Sequence, residues 1–260
     1  MITIGHDAEL FLKTRENENI PAIGLIGGSK EFPLKVTKGA LQEDNVMAEL
    51  NIDPATTAEE FIANTVEVLS QLELKIEPLD LSVDIRPSCV FEKKYLKSPQ
   101  AREFGCLPEY NAWTMRTHEF PKKAGREQLR TCGGHIHVGW SEIESHPMNR
   151  INLVKVMDLM LGIPSVILDQ DRDRRRLYGK AGLHRPKSYG IEYRVLSNFW
   201  LKNNALMTWV FNQTKFSVEA LDFLYGRIDT YGEDLIQETI NEGDTETAIE
   251  IVQDLQLELP

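Results

Sequence analysis

Three pairs of polar residues stand two apart inside apolar stretches: Asp7 and Glu9 in GHDAELFL, His135 and His137 in GGHIHVGW, and Glu192 and Arg194 in GIEYRVL. On a strand, residues i and i+2 share a face roughly 7 Å apart, so each pair points its side chains into one place. Glu49, in MAELNI, stands as a fourth polar position of the same kind. Buried charges are costly without a partner, and converging carboxylates repel. Divalent cations relieve that repulsion through carboxylate oxygens, while arginine grips phosphate bidentately. For a single pair, a cross-strand ion-pair ladder is explanation enough, and a lone histidine is ordinarily a satisfied core or surface residue. Three pairs on strands that can neighbour one another point instead to a metal and phosphate site.

Around the third pair lies an arginine-rich segment. Arg172, Arg174, Arg175 and Arg176 interleave with Asp169, Asp171 and Asp173, a more cancelled pattern than nucleic-acid patches show; some of these read as surface ion pairs. Gly179 and Gly182, beside Tyr178, His184 and Arg185, read as a flexible loop that folds over a ligand. GLIGGSK, residues 24–30, lacks P-loop spacing and no helix follows it. It reads as a glycine hairpin with Lys30 at its rim, either a plain turn or a nucleotide contact. GxGxxG, GxSxG and HExxH are absent. No Ser–His or Cys–His nucleophile stands out, and Cys132 beside two glycines packs behind the sheet.

The elements that must position these residues follow from periodicity. Strands are predicted at Ile2–Leu12, Asn19–Ile26, Val46–Ile52, Leu81–Ile85, Thr131–Trp140 and Ile191–Leu196. Thr56 and Thr57 with Glu59 and Glu60 form overlapping capping boxes that open a helix with Phe61, Ile62, Val66, Leu69 and Leu72 on one face. Met148–Gly162 is apolar nearly all round and predicts a buried helix ending before Pro164. Asn203–Tyr225 predicts a long helix, and two short ones finish the chain around Gly243. Early strands, late helices and no βαβ alternation predict an α+β fold with a largely antiparallel sheet.

The chain has 260 residues with 42% apolar and 27% charged residues, an ordinary globular composition. We find no repeat or linker and expect one domain over 1–260, with an acidic helical segment at about 229–260. That segment holds ten acidic residues and no lysine or arginine; without it the net charge of −11 falls to about −1. A signal peptide is not expected, and no uninterrupted apolar run approaches the ~18 residues of a membrane span. Cys89, Cys106 and Cys132 at unrelated spacings predict a reducing, cytoplasmic setting. Neither nucleic acid nor membrane is expected as a partner; self-association stays open.

Taken in order, GHDAELFL, GLIGGSK, EDNVMAELNI, GCLPEYNAW, CGGHIHVGW and RRRLYGKAGLHRPKSYGIEYRVLSNFWL resemble the glutamine-synthetase-like carboxylate–amine ligases, nearest the phage-encoded COOH–NH2 ligases (amidoligases), relatives of glutamate–cysteine ligases. The resemblance covers residues 1 to about 205. It implies a curved antiparallel sheet with helices on its convex face and, on its concave face, ATP with two or more Mg2+ ions, or Mn2+ in their place. It implies phosphorylation of a substrate carboxylate by ATP and attack of an amine on the acyl phosphate, giving an amide, ADP and phosphate. The substrates would be a small-molecule or protein carboxylate and an amine, and a phage-encoded enzyme would work in the host cytoplasm. By resemblance Glu9, Glu49, His135 and Glu192 are metal ligands, and Lys30, His137, Arg176 and Arg194 meet ATP. Arg194, Arg185 and Arg176 steady the transferred phosphate, and Asn111, Trp113 and Tyr178 belong to the substrate region. Asp7 and Asp44 are left open as ligands. The rival readings are a metal-dependent hydrolase using His135 and His137, and a non-catalytic nucleotide-binding protein on the same scaffold.

Overall fold

Ile2–Thr14 forms one strand of 13 residues, β1, and its alternation decides the architecture. Ile4, Ala8, Leu10 and Leu12 are wholly buried in the main core on one face, which leaves Asp7, Glu9 and Phe11 to the other. The computed structural model describes residues 1–102, 109–118, 128–141 and 147–260. In chain order the early elements are β2 (Asn19–Ile20), β3 (Leu34–Val36), β4 (Gly39–Asp44), β5 (Met47–Ile52), α1 (Ala58–Ile76), β6 (Leu81–Asp84), β7 (Ser88–Val90) and α2 (Pro99–Arg102). The middle holds β8 (Glu109–Asn111), β9 (Arg116–His118), β10 (Leu129–Thr131), β11 (Gly134–Trp140), α3 (Pro147–Met157), α4 (Ile163–Leu168), α5 (Arg172–Leu177), β12 (Leu183–Lys187) and β13 (Gly190–Tyr193). Helices α6 (Asn204–Glu219), α7 (Leu221–Tyr231), α8 (Glu233–Glu242) and α9 (Thr245–Asp254) follow.

The protein is a mixed α+β structure built on a large antiparallel sheet, in the order β3-β4-β5-β1-β11-β13-β12-β8-β9 among the described residues. Helices α1, α3 and α6 pack on the face that carries Ile4 and Leu10. His6 points that way too: its Nε2 meets Thr65 Oγ1 at 2.9 Å, between the edges of Phe61 and Trp200. Burial holds that imidazole down to about 3, so it stays neutral. The opposite face of β5, β1, β11 and β13 collects the polar residues singled out above.

Several expectations shift. Asn19–Ile26 is a strand only at Asn19–Ile20; beyond it Gly24 and Gly27 take left-handed angles, and both donate their N–H groups to the Glu43 carboxylate at 2.9 Å. The hairpin is thus a loop pinned to β4. Thr131–Trp140 splits at Cys132–Gly133, with β10 pairing β7 in a separate two-stranded sheet. Helix α1 starts at the Thr57 cap as predicted, but its buried face runs through Phe61, Asn64, Thr65, Val68 and Leu72, leaving Val66 exposed. Ala220 interrupts the long helix, separating α6 from α7.

The predicted stop before Pro164 does not occur. Residues Asp158–Gly162 form a π-helical turn, closed where the Ile163 N–H reaches the Asp158 carbonyl, and the helix continues as α4. The wider turn frees the carbonyl that a proline ring would otherwise strike. Met148–Leu168 as a whole is long and apolar enough to cross a membrane by length and composition, yet most of it is buried inside this protein.

Candidate active site

Register brings the polar pairs together. Glu9 lies directly opposite Glu49, Asp7 opposite His135, and His137 opposite Glu192, which in turn faces Arg185. All of these but the wholly buried Glu192 line a cavity of about 300 Å3, together with Asp44, Lys30, Lys187 and Arg194. Two clusters of ligand atoms result, each within 4.8 Å: Glu9, Asp44 and Glu49 form one, and Asp7, His137 and Glu192 the other. His135 stands between them. Its Nδ1 lies 3.0 Å from Asp7 Oδ1 and 3.3 Å from Arg194 Nη1, so both contacts fall on Nδ1 rather than on Nε2. That Nε2 is buried without a hydrogen-bond partner.

Electrostatics differ between the clusters. Burial first, and then repulsion from Asp7, Asp44 and Glu9, pushes Glu49 well above the usual carboxylate range. Burial and Asp44 likewise raise Glu9, although His135 and the Gly133 N–H, which donates to Glu9 Oε2 at 2.6 Å, oppose this. Gln42 and Asn51 each donate to Glu49 Oε1, at 2.8 and 3.1 Å. In the second cluster, burial and Asp7 would raise Glu192, but Arg194, His135 and His137 outweigh them and hold it at about 2. Asp7 is held well below its ordinary value against the same burial, by His137 and His135. Two buried carboxylates pushed toward protonation, with Asp44 beside them and an imidazole nitrogen without a hydrogen-bond partner nearby, are what a divalent cation would satisfy.

Arg194 is anchored from behind. It donates to Glu192, to Glu109 and to the Tyr178 hydroxyl, which itself donates to Glu109. Glu109 is wholly buried on β8. One guanidinium is therefore held rigidly against the cavity wall, with Arg185 Nη1 3.5 Å from Glu192 beside it.

A family model described as phage phiEco32-like COOH.NH2 ligase, type 2, matches residues 114–259, more than half of the chain. The chain belongs to this family. Membership implies an ATP-dependent carboxylate–amine ligase. No curated protein matches the chain. The matched span holds His135, His137, Arg185, Glu192 and Arg194, whereas the strands carrying Asp7, Glu9, Asp44 and Glu49 precede it.

The structure divides the four expected metal ligands: Glu9 and Glu49 fall in one cluster, Glu192 in the other, with His135 in the middle. His137, expected at ATP, sits in the second cluster, with its Nδ1 2.5 Å from the Tyr189 hydroxyl and its Nε2 3.1 Å from Asp7. Lys30 and Arg185 line the cavity, and Tyr178 stands behind it, bonded to Arg194 and with its ring 6.2 Å from that of His135. Three expected residues are not brought in. Arg176 lies exposed on α5, 3.6 Å from Asp173. Trp113 donates its Nε1 to Asp158 at 2.6 Å. Asn111 donates to the Ala181 carbonyl and caps the turn at Trp113 and Thr114. The arginine-rich segment is also more structural than expected, since buried Arg174 donates to the Val195 and Leu196 carbonyls and Arg175 to Ser165. Around the Gly179–Gly182 stretch, a Cβ at Gly179 would meet Arg174 and one at Gly182 would meet Trp113, so both glycines are needed for close packing. Cys132 is wholly buried beside Cys89, Phe11 and Phe91, as expected of a packing residue; Cys106 lies outside the described residues.

Asp7, Asp44, Glu109 and Lys187 complete the site beyond the expected set. Asp7 carried the strand-spacing signal and Asp44 the adjacent acidic run, but Glu109 and Lys187 stand in segments without a pattern of their own.

Proposed function

We propose that this protein activates a substrate carboxylate with ATP and transfers it to an amine, forming an amide with release of ADP and phosphate. The observation that carries the reading is the pair of ligand clusters flanking the buried, unpartnered Nε2 of His135, beside an arginine fixed from behind. Glu9, Asp44 and Glu49 would hold one Mg2+ and Asp7, His137 and Glu192 another, with His135 available to either. The ions would neutralise phosphate charge and orient the triphosphate.

The residues of the chain supply the rest. A carboxylate is a poor electrophile, and phosphorylation gives it a leaving group. Phosphoryl transfer then chiefly needs positioning and stabilisation of developing charge. Arg194, which cannot swing away without abandoning Glu109 and Glu192, presents a fixed guanidinium for that charge, and Arg185 flanks it. Four carboxylates (Asp7, Glu9, Asp44, Glu49) and four cationic side chains (Lys30, Arg185, Lys187, Arg194) line the cavity. Such a balanced wall suits a metal–nucleotide complex whose own charges nearly cancel.

The test is a product assay with ATP, Mg2+ and mixtures of amino acids and polyamines. ADP and phosphate are expected, with turnover lowered at least about 100-fold in Glu192→Gln and Arg194→Ala, in line with losing one transition-state contact. AMP and pyrophosphate would overturn the acyl-phosphate route. Turnover on zinc with no nucleotide would support a hydrolase instead.

A further inference from the structure

Each ligand cluster already contains a lysine. Lys30 Nζ lies 2.9 Å from Asp44 Oδ1 in the first, and Lys187 Nζ lies 2.6 Å from Glu192 Oε2 in the second. The two lysines reach their clusters from unrelated segments, the glycine loop before β3 and the end of β12. Their side chains are 40% and 32% exposed, against 6% for Arg194. The arginine is locked in place, whereas the lysines stand on flexible stems with open solvent beside them. Lysine is a compact point charge with rotatable donors, suited to exchange. Glu192 keeps Arg194 and Arg185 if Lys187 departs.

We propose that Lys30 and Lys187 are exchangeable counter-cations: each ammonium neutralises a carboxylate of its cluster without metal, leaves it when a divalent cation binds, and so becomes available to the anionic phosphates. This rests on the reading above. It goes beyond it by making metal binding and phosphate binding one linked event, since the ion that enters frees the charge that meets the nucleotide. An ion pair of this kind also offsets part of the repulsion in a cluster that already buries Glu9 opposite Glu49.

The experiment is brief, limiting acetylation of lysines with an active ester, read at each position by peptide mass spectrometry. It is done with and without Mg2+ on protein whose Mg2+ binding is followed calorimetrically. Labelling of Lys30 and Lys187 is expected to rise severalfold on Mg2+ binding. Lys13, paired with Asp84 outside the cavity, serves as the control and should not change. In parallel, Lys30→Met and Lys187→Met are expected to bind Mn2+ several times more tightly, since the competitor is gone. Mg2+ binding with unchanged or slower labelling at both lysines overturns the exchange and leaves the ligase reading standing. Absence of any binding heat for Mg2+ or Mn2+ overturns both.

Discussion

Asp158 is a wholly buried acid at the π-helical turn, on the helix-bearing side of the sheet. Trp113 Nε1 donates to one of its oxygens, and the Tyr193 hydroxyl lies 2.7 Å from the other. Burial outweighs these contacts and raises the carboxyl from 3.8 to about 7. The folded protein therefore holds a proton there that the unfolded chain has already lost. The stability this contributes is complete below 3.8, declines as the pH rises, and is gone once the pH passes about 7, at up to about 1.4 kcal/mol per pH unit. An asparagine keeps the geometry, accepting from Trp113 and donating to Tyr193, without a proton to lose. Asp158→Asn should flatten the fall in Tm between about pH 4 and about pH 7 and be the more stable form at the upper end; parallel melting curves for the two proteins would sink this. At this scale the strand pairs were readable because alternation leaves a charged residue only one face to occupy. Arg176 was not: consecutive arginines on a short helix point in all directions, and Arg174 and Arg175 turn inward while Arg176 does not.

Strand β11 shows how an element makes a site usable. Gly133, just before it, has no side chain, and a Cβ there would lie 2.1 Å from His135 Nε2. Gly133→Ala must push the imidazole out of line. We expect Mn2+ affinity to fall on the order of tenfold or more, as when a ligand loses its support, with the far-UV spectrum retained. Calorimetry on the two proteins decides it, and equal affinities would remove His135 from the metal centre. The alternating strands β1, β5, β11 and β13 were legible from their period. β3 and β4 were not, since GALQED carries little apolar signal and is held by its neighbours on the sheet. The face of α1 was read one step off because Asn64 and Thr65, polar by type, are buried, with Asn64 donating to the Asp53 carbonyl and Thr65 meeting His6.

The acidic terminal segment bears on the whole molecule rather than on the site. Ile236, Ile240, Ala248, Ile251 and Val252 are buried in the main core, where α8 and α9 pack on α4. Each buried branched side chain is worth about 1.5–3 kcal/mol, so four of them rival the roughly 5–15 kcal/mol of a typical domain. Deleting residues 229–260 should yield aggregated or unfolded protein by size exclusion and thermal melting; a soluble, cooperatively melting truncation would show the segment to be an appendage. Composition marked this segment only as charged, because its apolar residues recur at helical spacing among the acids and vanish in a charge count.

Asp7 and Glu9 are neighbours on a single strand, yet each belongs to a different cluster. The interval between the two clusters is therefore set by the pleat of β1, roughly 7 Å, and not by adaptable side chains. β1 acts as a ruler fixed by its hydrogen bonds to β5 and β11 on either side. Inserting one residue between Asp7 and Glu9 would do more than lengthen that ruler. It would turn Glu9 over to the helix side of the sheet and leave Asp7 with no partner cluster to measure against.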